Sequence, residues 1–426
     1  MAVASLELVL TVFLAIMLVA QILSLKAKVP YTMILVFIGV GVAAVATLPL
    51  AGSNAITDAI SYVIDQMSSF YTGLVGGGLF VGIVVPPLIF EAMLHIRAPD
   101  LRAVIRPSIV LATVGVVIAT LVGGTILWEL SGLPLSISLL FGAIIAPTDV
   151  VTVLEVTRRL NVPSRLAVLM NTEAAFNDAT AIIVFTIVLS SLSLPRLPIA
   201  TALFSFLFSI AGGAVVGAAV AYLASWIHSI THDKIAQLIL TISAVYGSYV
   251  FASGIGASGL ISVAVVGLYF GNVTIKSKML IETQDTILTF WEVAAFVGNS
   301  VAFLLIGFET NLVTFGESIV FILFAYMAVI MARAASVYPI LAIFNQLGEN
   351  LPFTWSNVAM FGGVRGALSI ALAASLSASA ILSDSDVHII TSMVLGVAFL
   401  SIVIQTPILS QYAKKRLGEQ ETLDSK

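Results

Sequence analysis

Cysteine is absent from the 426 residues, which excludes disulfides and thiolate metal sites while leaving the redox compartment open. Charge is nearly as scarce. Asp, Glu, Lys and Arg together make up 9% of the chain, against roughly 25% in an ordinary soluble domain. Histidine is limited to His95, His228, His232 and His388, all read as loop or boundary positions, where a histidine is simply solvated or at most senses pH. No stretch between apolar runs is long enough for a sizeable soluble domain. What fills the chain is hydrocarbon: 60% of residues are hydrophobic and the mean hydropathy is +1.13. The composition is that of an all-α integral membrane protein. The first apolar run, 5–24, has no basic segment before it and is long enough to span, so it reads as a retained helix and not as a cleaved signal.

Apolar segments of spanning length fall at 5–24, 31–50, 72–94, 107–128, 134–155, 164–190, 199–227, 235–252, 256–272, 287–308, 317–344, 352–380 and 387–413, which predicts about 13 transmembrane helices. Basic residues test that count, because Lys and Arg gather on one side when the crossings are right. Lys26 and Lys28 follow helix 1, Arg97, Arg102 and Arg106 follow helix 3, and Arg158, Arg159 and Arg165 follow helix 5. Lys234 follows helix 7, Lys276 and Lys278 follow helix 9, and Lys414, Lys415, Arg416 and Lys426 close the chain. Of 18 basic residues, 15 share this side, Arg196 alone is opposite, and Arg333 and Arg365 lie within helices. The expected topology is a multi-pass protein of the cell membrane with its N-terminus outside and its C-terminus cytoplasmic.

An odd count permits two six-helix halves of opposite orientation, which is a transporter signature. The expected organisation is one transmembrane domain over 1–413, with repeat one at about 1–190, a linker helix at 199–227, repeat two at 235–413 and a short cytoplasmic tail at 414–426. The fifth helix of each half carries an interruption. In GAIIAPTDVV, Pro147 removes a backbone donor beside Asp149. In MFGGVRGALS, Gly362, Gly363 and Gly366 loosen the helix around Arg365. Helices 5 and 12 are therefore predicted to be broken.

The intramembrane ionisable set is Glu91, Asp149, Glu173, Asp178, Arg333 and Arg365, and such residues are functional by default because each costs at least ~2.5 kcal/mol at the bilayer centre. Structural ion pairs and snorkelling ends are the plain alternative, which suits Glu155, Arg158 and Arg333, the last packed against helix-end carbonyls. That alternative fails for the cluster, since four acids face two bases and something positive has to visit them. In TEAAFNDATAIIVF, Glu173 and Asn177 share a helix face at i,i+4, while Asp178 lies about 7.5 Å further along the axis than Glu173 and points elsewhere. Asp149 lies at a break, where carbonyls and the Thr148 hydroxyl add oxygen ligands for a hard cation. Two carboxylates about 5 Å apart repel by approximately 3 kcal/mol at an effective dielectric near 20, so a proton and a cation compete for the space between them.

TEAAFND resembles the helix-6 motif of the NhaP-type sodium/proton antiporters, the branch of the monovalent cation/proton antiporters marked by an Asn-Asp pair. PPLIFEAML, GAIIAPTDVVTV, VAFLLIGFET, MARAASVYP and GGVRGALSIAL resemble further segments of that family in the expected order over roughly residues 80–380. The resemblance implies that Asp178 is the essential ion-binding acid, with Asp149, Thr148 and Glu173 completing the site, and that Glu91, Asn177 and Arg365 form a structural cluster bracing the broken helices. It also implies electroneutral exchange of one sodium or lithium ion for one proton by alternating access, and a homodimer in membrane lipid. It implies no enzymatic chemistry, no cofactor beyond the transported ions, no nucleic acid and no organic substrate. Two positions depart from the family pattern: Ala174 replaces a serine hydroxyl and Val150 replaces a proline. Rival readings are a potassium/proton antiporter on the same scaffold, a cation channel, and an intramembrane aspartyl protease built on Asp149 and Asp178.

Overall fold

The computed structural model describes residues 2–27, 29–47, 80–159, 162–193, 199–231, 233–275, 281–309, 318–376 and 381–424, with isolated positions between 62 and 73 and at 316. Most of the expected outer segment 51–71, and the basic residues Lys28, Arg196, Lys276, Lys278 and Lys426, lie outside the described residues. Among those described, every element is helical. Eight helices are each long and apolar enough to cross a bilayer, accompanied by the shorter apolar helices Tyr31–Val45, Phe80–Leu94, Leu135–Ile145 and Gly259–Thr274.

In chain order the helices are α1 (Ala2–Ala27), α2 (Tyr31–Thr47), α3 (Val85–Leu94, entered through a π-turn), α4 (Val116–Ser131), α5a (Leu135–Ile145) and α5b (Val150–Arg159). There follow α6 (Ser164–Ser193), α7 (Ile199–Ile230), α8 (Lys234–Gly254), α9 (Gly259–Tyr269), α10 (Ile281–Glu309) and α11 (Ile319–Phe344). The last are α12a (Phe353–Phe361), α12b (Ala367–Ser375) and α13 (Asp384–Leu400), which continues through a π-turn into Thr406–Asp424. The segment taken from sequence as a tail from residue 414 is thus helical to Asp424. Both predicted interruptions are present, between α5a and α5b and between α12a and α12b.

The starts of several helices are written in their sequence. Asp233 caps α8 by accepting from the Ala236 N–H at 2.7 Å, Ser258 caps α9 by accepting from the Ile261 N–H at 3.3 Å, and Ser383 caps α13 by accepting from the Asp386 N–H at 3.2 Å. Each satisfies a donor that the first helical turn leaves open.

Packing repeats when seven is added to a helix number. α1 packs on α2 as α8 packs on α9; α2 packs on α10 as α9 packs on α3; α5b packs on α6 as α12b packs on α13. That pattern belongs to two related six-helix halves, and α7 lies against α8 and α9. Hydrocarbon offers no hydrophobic drive between helices, so close approach of small residues matters most. At the contact of α10 with α2, a Cβ on Gly307 would overlie the Val36 carbonyl, so only glycine lets these backbones meet. Leu10, Leu14 and Leu18 on α1 and Leu203, Phe204 and Leu207 on α7 point outward, as faces turned to lipid do.

Candidate functional site

Where the two broken helices cross, main chain meets main chain. The Asp149 N–H, just ahead of α5b, donates to the Val364 carbonyl in the gap of α12 at 2.9 Å. Arg365 reaches the other way: its Nη1 donates to the carbonyls of Ala146 at 2.8 Å and Pro147 at 2.9 Å, just past the end of α5a. The Arg365 side chain is 1% exposed, and its own N–H is taken by the Ser401 hydroxyl of the π-turn in α13 at 3.1 Å. A guanidinium therefore faces the carbonyl end of α5a, while the Asp149 carboxylate faces the amide end of α5b. Asp149 Oδ2 accepts from the Thr152 N–H at 2.7 Å and from the Thr152 hydroxyl at 2.5 Å. Both charges complement the half-helix dipoles they face. At Gly366 a Cβ would fall on the Asp149 carboxylate, so the acid reaches its place only because position 366 has no side chain.

The buried mid-section of α6 supplies the remaining groups. Glu173 accepts a two-pronged contact from Arg333 of α11, Nη1 to Oε1 at 2.7 Å and Nη2 to Oε2 at 2.9 Å. Arg333 Nη2 also donates to the Ala359 carbonyl at 2.9 Å, so the helix-end role expected for it accounts for part of its contacts. Asn177 Nδ2 donates to Glu173 Oε1 at 3.0 Å and to the Thr148 hydroxyl at 2.7 Å. A continuous chain thus runs Arg333, Glu173, Asn177, Thr148 and into the α5 break. Asp178, one residue on, is 7% exposed and turns to a different neighbourhood, as the helical spacing requires.

Two expected groupings meet a different geometry. Glu173 is expected among the ion ligands, but the structure gives its carboxylate to Arg333 and leaves it off the cavity lining. Glu91, Asn177 and Arg365 are expected as one bracing cluster, and the structure separates them. Asn177 joins Glu173 and Thr148, and Arg365 holds main-chain carbonyls. Glu91 meets His95 at 3.5 Å, one turn along α3. The physical reason is that the released carbonyls of the α5 break are themselves the strong acceptors a buried guanidinium needs.

Thr148, Asp149 and Asp178 come together on one cavity. With Pro147, Val150, Gly366, Leu368 and Ser369, and with Val85 and Leu88 of α3, they line a small cavity of about 20 Å³. That is room for one water-sized guest, which needs roughly 10–15 Å³. Thr152 and Ser369 are the polar residues of this centre that sequence reasoning missed. The signal for Ser369 is its place one turn beyond the Arg-Gly break, and for Thr152 its place three residues after the capping acid. Among the described residues no group of three or more His, Asp or Glu side chains is placed to hold a metal ion. Two carboxylates with hydroxyls suit weak, reversible capture of a small hard cation, which is what passage through a membrane requires.

A family model described as "Sodium/hydrogen exchanger, transmembrane" matches residues 9–415. The Na(+)/H(+) antiporter ApNhaP of Aphanothece halophytica is 33% identical over 403 residues, covering 93% of this chain and 71% of that protein. The Na(+)/H(+) antiporter NhaP of Pseudomonas aeruginosa is 33% identical over 333 residues, covering 75% of this chain and 77% of the relative. In fold, the chain matches the sodium proton antiporter MjNhaP1 of Methanocaldococcus jannaschii with a TM-score of 0.76 at 20% identity, over 97% of this chain and 100% of that one. The protease and channel readings fall with these matches, because the relatives are named antiporters, not enzymes or channels. The chain therefore belongs to the transmembrane sodium/hydrogen exchanger family, and is a multi-pass cation/proton antiporter of the NhaP type.

Proposed function

We propose that the protein exchanges one sodium or lithium ion for one proton without net charge movement, and that both occupy the cavity between Asp149 and Asp178, with Thr148 contributing oxygen. The observation that carries this reading is the charge of the buried centre. Asp149, Glu173 and Asp178 face Arg333 and Arg365 within it. Three carboxylates and two guanidiniums leave one negative charge, which one monovalent cation or one proton cancels. Glu173 is already paired with Arg333, and Asn177, beside Asp178, is an amide that carries neither proton nor charge. Each crossing then moves one positive charge, as sodium inward or outward and as a proton on the return. A potential of 100 mV, which would bias a one-charge imbalance by about 2.3 kcal/mol, does no work on such a cycle.

The test is reconstituted exchange with the membrane potential clamped at several values by potassium and valinomycin. The sodium gradient that balances a given pH gradient is expected to be the same at every potential; a balance point that moves with potential refutes electroneutrality. Running the pH-gradient assay with sodium, lithium and potassium separately tests the cation preference. We further place the N-terminus outside and the C-terminus in the cytoplasm of a cell-membrane homodimer, on the one-sided distribution of basic residues and the family resemblance. Single cysteines introduced in 51–71 and 272–286 are expected to react with an impermeant reagent from outside and from inside respectively, with crosslinking in native membranes reporting the dimer.

A further inference from the structure

Ser369 lies in the first turn of α12b, its side chain 1% exposed, and lines the cavity with Thr148, Asp149 and Asp178. Its hydroxyl is buried and has no hydrogen-bond partner. Many hydroxyls in these helices return to a carbonyl three or four residues back, as Ser375 does to Leu372 at 2.7 Å, Ser336 to Arg333 at 3.0 Å and Thr180 to Phe176 at 3.1 Å; of the buried ones left without a partner, such as Thr172 and Ser138, Ser369 is the one on the cavity lining. For Ser369 those carbonyls belong to Arg365 and Gly366, which are in the non-helical break, so the usual acceptor is out of line. The break thus leaves a buried polar oxygen uncommitted on the wall of the ion cavity, and an uncommitted buried hydroxyl is retained only at a cost to folding.

The oxygen count around the cavity gives that hydroxyl a use. Asp149 Oδ2 already accepts two hydrogen bonds from Thr152, and the Thr148 hydroxyl accepts one from Asn177. Among the described residues no third carboxylate joins Asp149 and Asp178 on the cavity lining. A cation seated in this narrow space exchanges part of its water shell for oxygens of the lining. On the reading of Asp149 and Asp178 as the exchange site, we propose that Ser369 is a direct ligand of the transported cation. Its hydroxyl oxygen completes the coordination from the second broken helix, so that both halves of the protein hold the ion.

The test uses the full chain in proteoliposomes, with the sodium dependence of pH-gradient dissipation measured for wild type, Ser369→Ala and Ser369→Thr. Thermal denaturation in detergent, with and without sodium, accompanies it. The expected result for Ser369→Ala is a sodium KM raised about 10-fold with the maximal rate within twofold of wild type. Its melting temperature without sodium is expected to equal or exceed wild type, since an unpaired buried hydroxyl has been removed, and its stabilisation by sodium to shrink. Ser369→Thr, which keeps the oxygen, is expected to bind sodium like wild type. A Ser369→Ala protein with unchanged KM, or one that loses stability in the absence of sodium, overturns the ligand role while sodium exchange by the wild type leaves the antiport reading standing. A wild type that dissipates no pH gradient with any monovalent cation overturns the exchange-site reading and this inference with it.

Discussion

Substituting Glu173 by Gln separates two roles that a buried acid could have. If the carboxylate serves to neutralise Arg333, which contacts it at 2.7 and 2.9 Å, then the substitution leaves an uncompensated guanidinium inside the bundle. The centre's single negative charge is cancelled before any cation arrives. The cavity ion and the Arg333 charge are then about 8–10 Å apart, given the axial offset of about 7.5 Å between positions 173 and 178. At an effective dielectric near 20 that repulsion is about 2 kcal/mol, which weakens apparent sodium affinity roughly 20- to 30-fold. Breaking a buried pair from one side also destabilises the fold by about 3–5 kcal/mol. The decisive step is the second substitution. Adding Arg333→Met removes the stranded charge, so the double variant is expected to recover sodium KM to within about threefold of wild type and to recover much of its stability. The assay is sodium-dependent pH-gradient dissipation in proteoliposomes for the four members of the cycle, with thermal melts in detergent. A double variant as weak in sodium as Glu173→Gln alone would refute the argument and restore Glu173 to the ligand set.

Asp178→Asn is expected to abolish exchange while the protein still inserts and purifies as wild type, since it removes the carboxylate without altering shape; measurable sodium-driven proton movement in that variant excludes Asp178 as carrier. Gly366→Ala places a methyl on the Asp149 carboxylate, so it is expected to cost about 1–3 kcal/mol by overpacking and to lower exchange at least 10-fold, read from melts and transport rates; Gly396→Ala, set against the Ile322 side chain instead, is the control expected to cost stability at lesser cost in rate. Arg365→Met strips the donor from two buried carbonyls, worth about 1–3 kcal/mol for each acceptor left unsatisfied, and the loss of stability is expected to persist when Glu91 is also replaced by Gln, which a Glu91–Arg365 pair would not predict.

Helix number, order and both interruptions were legible because they rest on local physics: run length against bilayer thickness, a proline, and closely spaced glycines. Thr148, Asp149 and Asp178 were placed together because a helix break and an intramembrane acid each mark the same kind of site. The partner of Glu173 was not legible. Arg333 is 160 residues away, two arginines compete for four acids, and periodicity carries no information on which helices touch. Which groups Arg365 holds was not legible, because charge counting considers carboxylates and overlooks carbonyls, whose release depends on how the break is shaped. The Glu91–His95 contact was within reach, since its i,i+4 spacing is visible in the sequence; setting His95 aside as a boundary residue hid it.

The bond from the Asp149 amide to the Val364 carbonyl joins the two broken helices through atoms that every amino acid other than proline supplies. No exchange of side chains at either position cuts it, short of proline at 149. The frame that brings the two half-helices face to face is therefore insulated from most substitution, while hydroxyls and small residues of the cavity wall can vary around it. On the proposed site, a lineage that changes those wall residues alters what the cavity holds and still inherits the same crossing.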